Sequence, residues 1–285
     1  MPFTPVRDIE IYYERRGSGP RLLYISGTGG DLRRKPNIFD DPLAASFEIL
    51  AYDQRGLGQS SRPDIPYTMA DYADDAAALL DSLGWESCGV MGVSFGGMVA
   101  QEFALRHPSR VERLVLACTS SGGAGGSSYP LHTLPPLSPR EKALWQIPTA
   151  DTRLDGEWQA THAAEFEAMV DLAVAGAQVG AGEPGREIGA FRQLEARSGH
   201  DTWDRLPGLQ MPVFICGGRY DGIASPANLE AMHRQIPGSR LGFYEGGHGF
   251  LVQDARAYKE VADFLLFTPT SSPADTPRPQ SAPSR

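Results

Sequence analysis

Short apolar runs alternate with longer stretches of helical periodicity along most of the chain. The runs fall at 9–15, 21–25, 47–52, 87–91, 111–117, 211–216 and 241–244. Brief runs of this kind, bounded by Gly, Pro or charged residues, suit strands buried on both faces. Apolar positions recur every three to four residues in the segments between them, notably 69–83, 95–107, 226–236 and 255–267, and these predict helices. The alternation implies an α/β fold, a mostly parallel twisted sheet with helices on both faces. The leading pair differs. The runs around Tyr12 and Leu23 are separated by Gly17-Ser18-Gly19-Pro20, which predicts an antiparallel hairpin.

The alternation breaks at 121–199. This segment opens with Ser121-Gly122-Gly123-Ala124-Gly125-Gly126-Ser127-Ser128, continues proline-rich to Pro139, and then turns helical at 163–174 and 188–197. It leaves after one strand and returns before another, so it reads as a helical lid inserted into a core domain made of 1–120 and 200–267. A lid excludes water and shapes a pocket. Trp145, Trp158, Phe166, Met169 and Phe191 are candidate lining residues, with Trp145 assigned to substrate binding; each also suits a packing role. The tail at 268–285 is rich in Pro, Ser and Thr and is expected to be disordered.

The candidate chemistry begins at Gly92-Val93-Ser94-Phe95-Gly96. It follows a strand run and precedes a helical one, the setting of a G-x-S-x-G nucleophile elbow. A serine hydroxyl needs a histidine to take its proton and an acid to orient that histidine. Of the six histidines, only His248 stands in a glycine-rich loop after a strand run, Glu245-Gly246-Gly247-His248-Gly249. Asp221 is the first carboxylate after the run at 211–216, while the run at 111–117 is followed by Cys118, Thr119 and Ser120. Ser94, Asp221 and His248 are therefore the candidate nucleophile, acid and base.

An oxyanion needs two N–H donors. One is expected from Phe95 and the other from Ser26-Gly27-Thr28-Gly29-Gly30, at Thr28 with Gly29 as the alternative. Gly27 and Gly29 let the substrate approach the backbone closely. The loop lacks the spacing of a phosphate or dinucleotide site.

These motifs, together with Asp53-Gln54-Arg55-Gly56-Leu57-Gly58-Gln59-Ser60 and Gly218-Arg219-Tyr220-Asp221, stand in the order of the α/β-hydrolase superfamily. The chain resembles that superfamily over about 6–267, with its esterases, enol-lactonases and meta-cleavage C–C hydrolases the most similar members. The resemblance implies the α/β-hydrolase fold and a serine hydrolase acting on small esters or lactones through an acyl-enzyme. Three other readings stay open: a C–C hydrolase, a cofactor-free perhydrolase, and a ligand-binding member without turnover. Epoxide hydrolases and haloalkane dehalogenases need a carboxylate where Ser94 stands. Many members carry His-Gly where this chain has Ser26-Gly27, and that leaves the second oxyanion donor the less determined one. Asp53 and Arg55 are read as structural pins.

Composition changes the picture little. A net charge of −9 argues against nucleic-acid binding. No Cys or His pairs stand at ligand spacing, so neither metal nor cofactor is expected. Cys88, Cys118 and Cys216 lie in or beside strand runs and read as buried thiols. The N-terminal residues lack a signal's apolar core and no run reaches spanning length, which makes the cytoplasm the expected location, with no membrane partner. Oligomeric state is open.

Overall fold

The computed structural model describes residues 2–267. Eight strands form one sheet: β1 (Phe3–Val6), β2 (Ile9–Arg16), β3 (Arg21–Ile25), β4 (Glu48–Tyr52), β5 (Cys88–Val93), β6 (Val111–Ala117), β7 (Val213–Gly218) and β8 (Arg240–Tyr244). Their order across the sheet is β1-β2-β4-β3-β5-β6-β7-β8. From β4 to β8 all neighbours are parallel; β1 and β2 are antiparallel to theirs.

Side chains alternate between the two faces with the period of two that a strand imposes. Leu23, Val90, Leu114 and Ile215 face one core, and their neighbours Leu22, Met91, Val115 and Phe214 face the other. Three helices cover the first face: α1 (Met69–Ser82), α2 (Phe95–Arg106) and α7 (Pro226–Gln235), through residues such as Leu80, Phe103 and Leu229. Ala257, Val261 and Leu265 of α9 (Ala255–Leu266) pack on the second, preceded by the short α8 (Phe250–Gln253).

The expected hairpin is not there. β4 lies between β2 and β3, paired antiparallel to β2 and parallel to β3. The Gly17–Pro20 turn wraps the entry to β4. A side-chain carbon at Gly17 would strike the carbonyl of Phe47, and one at Gly19 that of Ser46. Both glycines have positive φ, so the turn is a crossover whose backbone hugs a third segment, and the dipeptide pattern does not report that.

Between β6 and β7 stand α3 (Pro139–Ala150), α4 (Gly156–Thr161), α5 (Ala163–Gln178) and α6 (Arg186–Ser198). The proline-rich stretch that ends at Pro139 runs straight into α3, and Pro139 occupies its first turn, where proline is tolerated. Ser138 and Glu141 close a capping box there. Ala143, Phe166 and Val170 form a small separate core between α3 and α5. The expectation for 268–285 lies outside the described residues. Among the described residues no helix is long and apolar enough to cross a membrane.

Candidate active site

The turn from β5 into α2 carries Ser94 at φ 56°, ψ −117°, a region that L-residues adopt at a cost of order 1–3 kcal/mol. The glycines explain how the turn closes. A side-chain carbon at Gly92 would strike the backbone of Gly96, and one at Gly96 would strike the carbonyl of Ile25. The Ser94 carbonyl accepts from Thr119 Oγ1 at 2.8 Å, and its N–H donates to Ala117 O at 2.8 Å. Held on both sides, the serine presents its hydroxyl above the carboxyl end of the sheet.

His248 meets it there. Its Nε2 lies 2.9 Å from Ser94 Oγ, and its Nδ1 lies 2.7 Å from Asp221 Oδ2. A carboxylate only accepts, so Nδ1 carries the proton and Nε2 is left to accept from the serine. The other Asp221 oxygen accepts from the N–H groups of Ile223 (2.8 Å) and Ala224 (2.9 Å). The carboxylate is buried and the imidazole keeps a partly open edge. Three residues spread over the sequence thus converge, each at the carboxyl end of a strand. Cys118, at φ 41°, stands beside them, with its sulfur, the carboxylate and the imidazole within 4.8 Å of one another. Burial and the Asp221 charge push its thiol well above the usual range, so it rests protonated.

The oxyanion loop runs beside Ser94. A side-chain carbon at Gly27 would sit 3.9 Å from Ser94 Oγ. The Gly29 N–H, the alternative expected donor, here donates to Gln193 Oε1 at 2.9 Å. Among the described residues neither Phe95 N–H nor Thr28 N–H has an acceptor. Asp53 fixes the loop from below, accepting from Leu32 N–H and Gln59 N–H at 2.8 Å each; burial pushes its carboxyl up to about 6. Arg55 pairs with Asp75 and Asp8. Both therefore act as the pins that the sequence suggested.

The end of α3 straps the site from above. Ala150 O accepts from His248 N–H at 2.6 Å, and Tyr220 O accepts from Thr152 N–H at 2.9 Å. The buried Asp151 carboxylate accepts from Gln253 Nε2 (3.0 Å), whose Oε1 accepts from Gly247 N–H (2.8 Å). Trp145, earlier on α3, is half-buried against Tyr129, with ring centroids 5.0 Å apart. The Tyr129 N–H donates to Ile223 O at 2.7 Å, so this aromatic pair stands over the Asp221 loop.

Sequence reading missed Gln193, Arg197, Asp151 and Gln253. The only signal for the first two was their i, i+4 spacing within the helical segment 188–197. The last two carry no local pattern. Three of the other histidines have partners elsewhere: His107 pairs with Asp74, His162 stacks on Trp158, and His233 meets Ser239.

The chain is similar to known hydrolases in sequence and fold. A poly(3-hydroxyalkanoate) depolymerase of Ectopseudomonas oleovorans is 29% identical over 91% of this chain and 89% of its own. The enol-lactonase of Burkholderia xenovorans LB400 superposes with a TM-score of 0.74 at 25% identity, covering 93% of this chain and 99% of that one. A meta-cleavage product hydrolase from Pseudomonas fluorescens IP01, at 18% identity and TM-score 0.69 over 92% and 96% of the two chains, shares the fold. The family model for the alpha/beta hydrolase fold matches residues 20–255, and with elbow, sheet order and match in agreement, the chain belongs to the α/β-hydrolase family.

Proposed function

We propose that the protein is a serine hydrolase of small carboxylic esters or lactones. The observation that carries this reading is the unbroken line from Ser94 Oγ through the imidazole of His248 to the Asp221 carboxylate, at 2.9 and 2.7 Å. In the proposed reaction Ser94 Oγ bonds to the carbonyl carbon as its proton passes to His248 Nε2. The oxyanion is met by the N–H groups of Phe95 and Thr28. The C–O bond to the leaving alcohol breaks, and that oxygen takes the proton from Nε2. Water then adds to the acyl carbon with Nε2 as base, and the acid leaves as Ser94 regains its proton. Asp221 holds the imidazole and stabilises its charged form throughout. The depolymerase and enol-lactonase names of the relatives fit an acyl-transfer reaction.

The test is hydrolysis of 4-nitrophenyl butyrate by the parent and by Ser94→Ala. Loss of about 10⁵- to 10⁶-fold in kcat is expected, the scale seen when a triad nucleophile is removed. Activity that survives the substitution refutes the reading. Turnover of a dienoate ring-cleavage diketone in place of esters reassigns the site to C–C hydrolysis.

A further inference from the structure

We propose that the substrate carries a free carboxylate, and that Arg197 with Gln193, one turn apart on α6, forms the anion subsite that holds it. The inference rests on the ester-hydrolase reading and adds the class of ester or lactone that the pocket takes.

Arg197 is only 6% exposed. Its Nη2 donates to Ser128 Oγ at 2.7 Å and to Tyr129 O at 2.8 Å. Its Nε is buried and has no acceptor among the described residues, and no carboxylate there pairs with it. Burial alone pulls its pKa down to about 10. A guanidinium is normally buried only with a counter-charge, because desolvation without one is so unfavourable. Gln193, 1% exposed, repeats the pattern: its Oε1 takes Gly29 N–H, and its Nε2 is buried without an acceptor.

The two side chains are tied to segments that flank the reacting groups. Gln193 is bonded to the oxyanion loop. Arg197 is bonded to Tyr129, whose N–H holds the carbonyl of Ile223, the residue whose own N–H holds Asp221. The face of α6 bearing them is therefore bonded directly to the oxyanion loop and, through Tyr129, to the acid loop. A carboxylate there receives charge-assisted bonds from a planar donor and an amide.

A second set of cations points the same way. Arg34 Nη1 donates to Gly29 O at 3.1 Å, and its Nε is buried without an acceptor. Desolvation, then the neighbouring charges of Arg34 and Arg186, lower the pKa of Lys142. Among the described residues none of these three cations pairs with a carboxylate, whereas nearby Arg33 and Arg62 share Glu183. In a chain of net charge −9, positive charge collected beside the oxyanion loop, offset in part by Asp31 and Asp53 near Arg34, draws anions toward the site.

The experiment compares matched esters. Mono-4-nitrophenyl glutarate against 4-nitrophenyl butyrate places the charge on the acyl side. 4-(Butyryloxy)benzoate against 4-methylphenyl butyrate places it on the leaving side. We expect kcat/KM to favour one charged ester over its neutral partner by about 10- to 100-fold, the range for a hydrogen bond to a charged group. Arg197→Met should bring that ratio near one, and Arg197→Lys should keep part of it. Ser94-dependent hydrolysis with no charge preference on either side overturns the subsite and leaves the ester reading intact. So does a folded Arg197→Met with the ratio unchanged, which would make Arg197 a staple for Ser128 and Tyr129. If Arg197→Met does not fold, the parent's ratio and Arg197→Lys decide. If no ester is hydrolysed, the ester reading fails, and calorimetric titration with glutarate decides the subsite: binding lost in Arg197→Met upholds it, and no binding to the parent overturns it.

Discussion

The backbone N–H of His248 donates to the carbonyl of Ala150, the last residue of α3, at 2.6 Å. The candidate general base is therefore fixed to the insertion as well as to its own loop. Gly247 must be glycine for this approach, since a side-chain carbon there would strike Ala150 O. Gln253 completes the strap by holding Gly247 N–H while donating to Asp151. Gln253→Ala removes both bonds without touching substrate. It should lower kcat about tenfold with KM little changed, because small misplacements of a reacting group are costly. The separation of kcat from KM on 4-nitrophenyl butyrate is the check; a proportional rise in KM would mean that the strap shapes the pocket and leaves the base where it is.

Asp221→Asn probes the other side of the imidazole. The asparagine oxygen must keep accepting from Ile223 and Ala224, as Asp221 Oδ1 does now. Its NH₂ then faces Nδ1 and forces the proton onto Nε2, where it blocks acceptance from Ser94. A loss of about 10⁴-fold in kcat is expected, with thermal stability near that of the parent. Stopped-flow ester hydrolysis and a melting curve on the same sample test both parts.

Much of this was legible beforehand, for a local reason. An elbow needs two glycines because the backbones of Gly92, Gly96 and Ile25 nearly touch, and that requirement is written in five consecutive residues. The strand-end loops carrying Asp221 and His248 were legible in the same way, by position after a strand run. The placement of β4 between β2 and β3 was not, since it depends on which strand Gly17 and Gly19 approach. The pairing of Gln193 with Gly29, and of Gln253 with Asp151 and Gly247, was equally hidden. Those contacts join residues that only the fold brings together, and a lone Gln or Asp in a helix has no periodicity to betray it.

Gly27→Ala tests how closely the oxyanion loop approaches the nucleophile. The added carbon would sit 3.4 Å from Ser94 Cβ and 3.9 Å from its Oγ. Those are tolerable contacts in the resting protein, so the fold should persist. The methyl group nevertheless borders the space that the tetrahedral adduct fills. A drop in kcat/KM of about 10- to 100-fold is expected, with Tm within a few degrees of the parent. Unchanged kinetics would show that the acyl group enters away from this loop.

His200 should make the protein acid-sensitive independently of catalysis. It is 7% exposed, its Nε2–H donates to Ser120 O at 3.1 Å, and its Nδ1 is buried without a donor among the described residues. Desolvation pulls its pKa down to about 4 from 6.5. The native state therefore keeps it neutral while the unfolded chain protonates it below about 6.5. Its contribution is complete above that pH and is lost as pH falls toward 4, by roughly 3 kcal/mol in all and about 2 kcal/mol between pH 7 and 5. Asp53 works in the opposite sense, because its raised carboxyl takes up a proton in the native state first, between about 6 and 3.8. The parent's own stability curve mixes these with other shifted carboxyls such as Asp75 and Glu183, so the readout is the difference between the parent and His200→Gln. At pH 7 the variant should be less stable, having lost a fitted imidazole. Urea unfolding at pH 7, 6 and 5 should show that gap closing by about 2 kcal/mol. A gap that stays constant across the three values would mean that His200 is charged in the native state or hydrated where Nδ1 points.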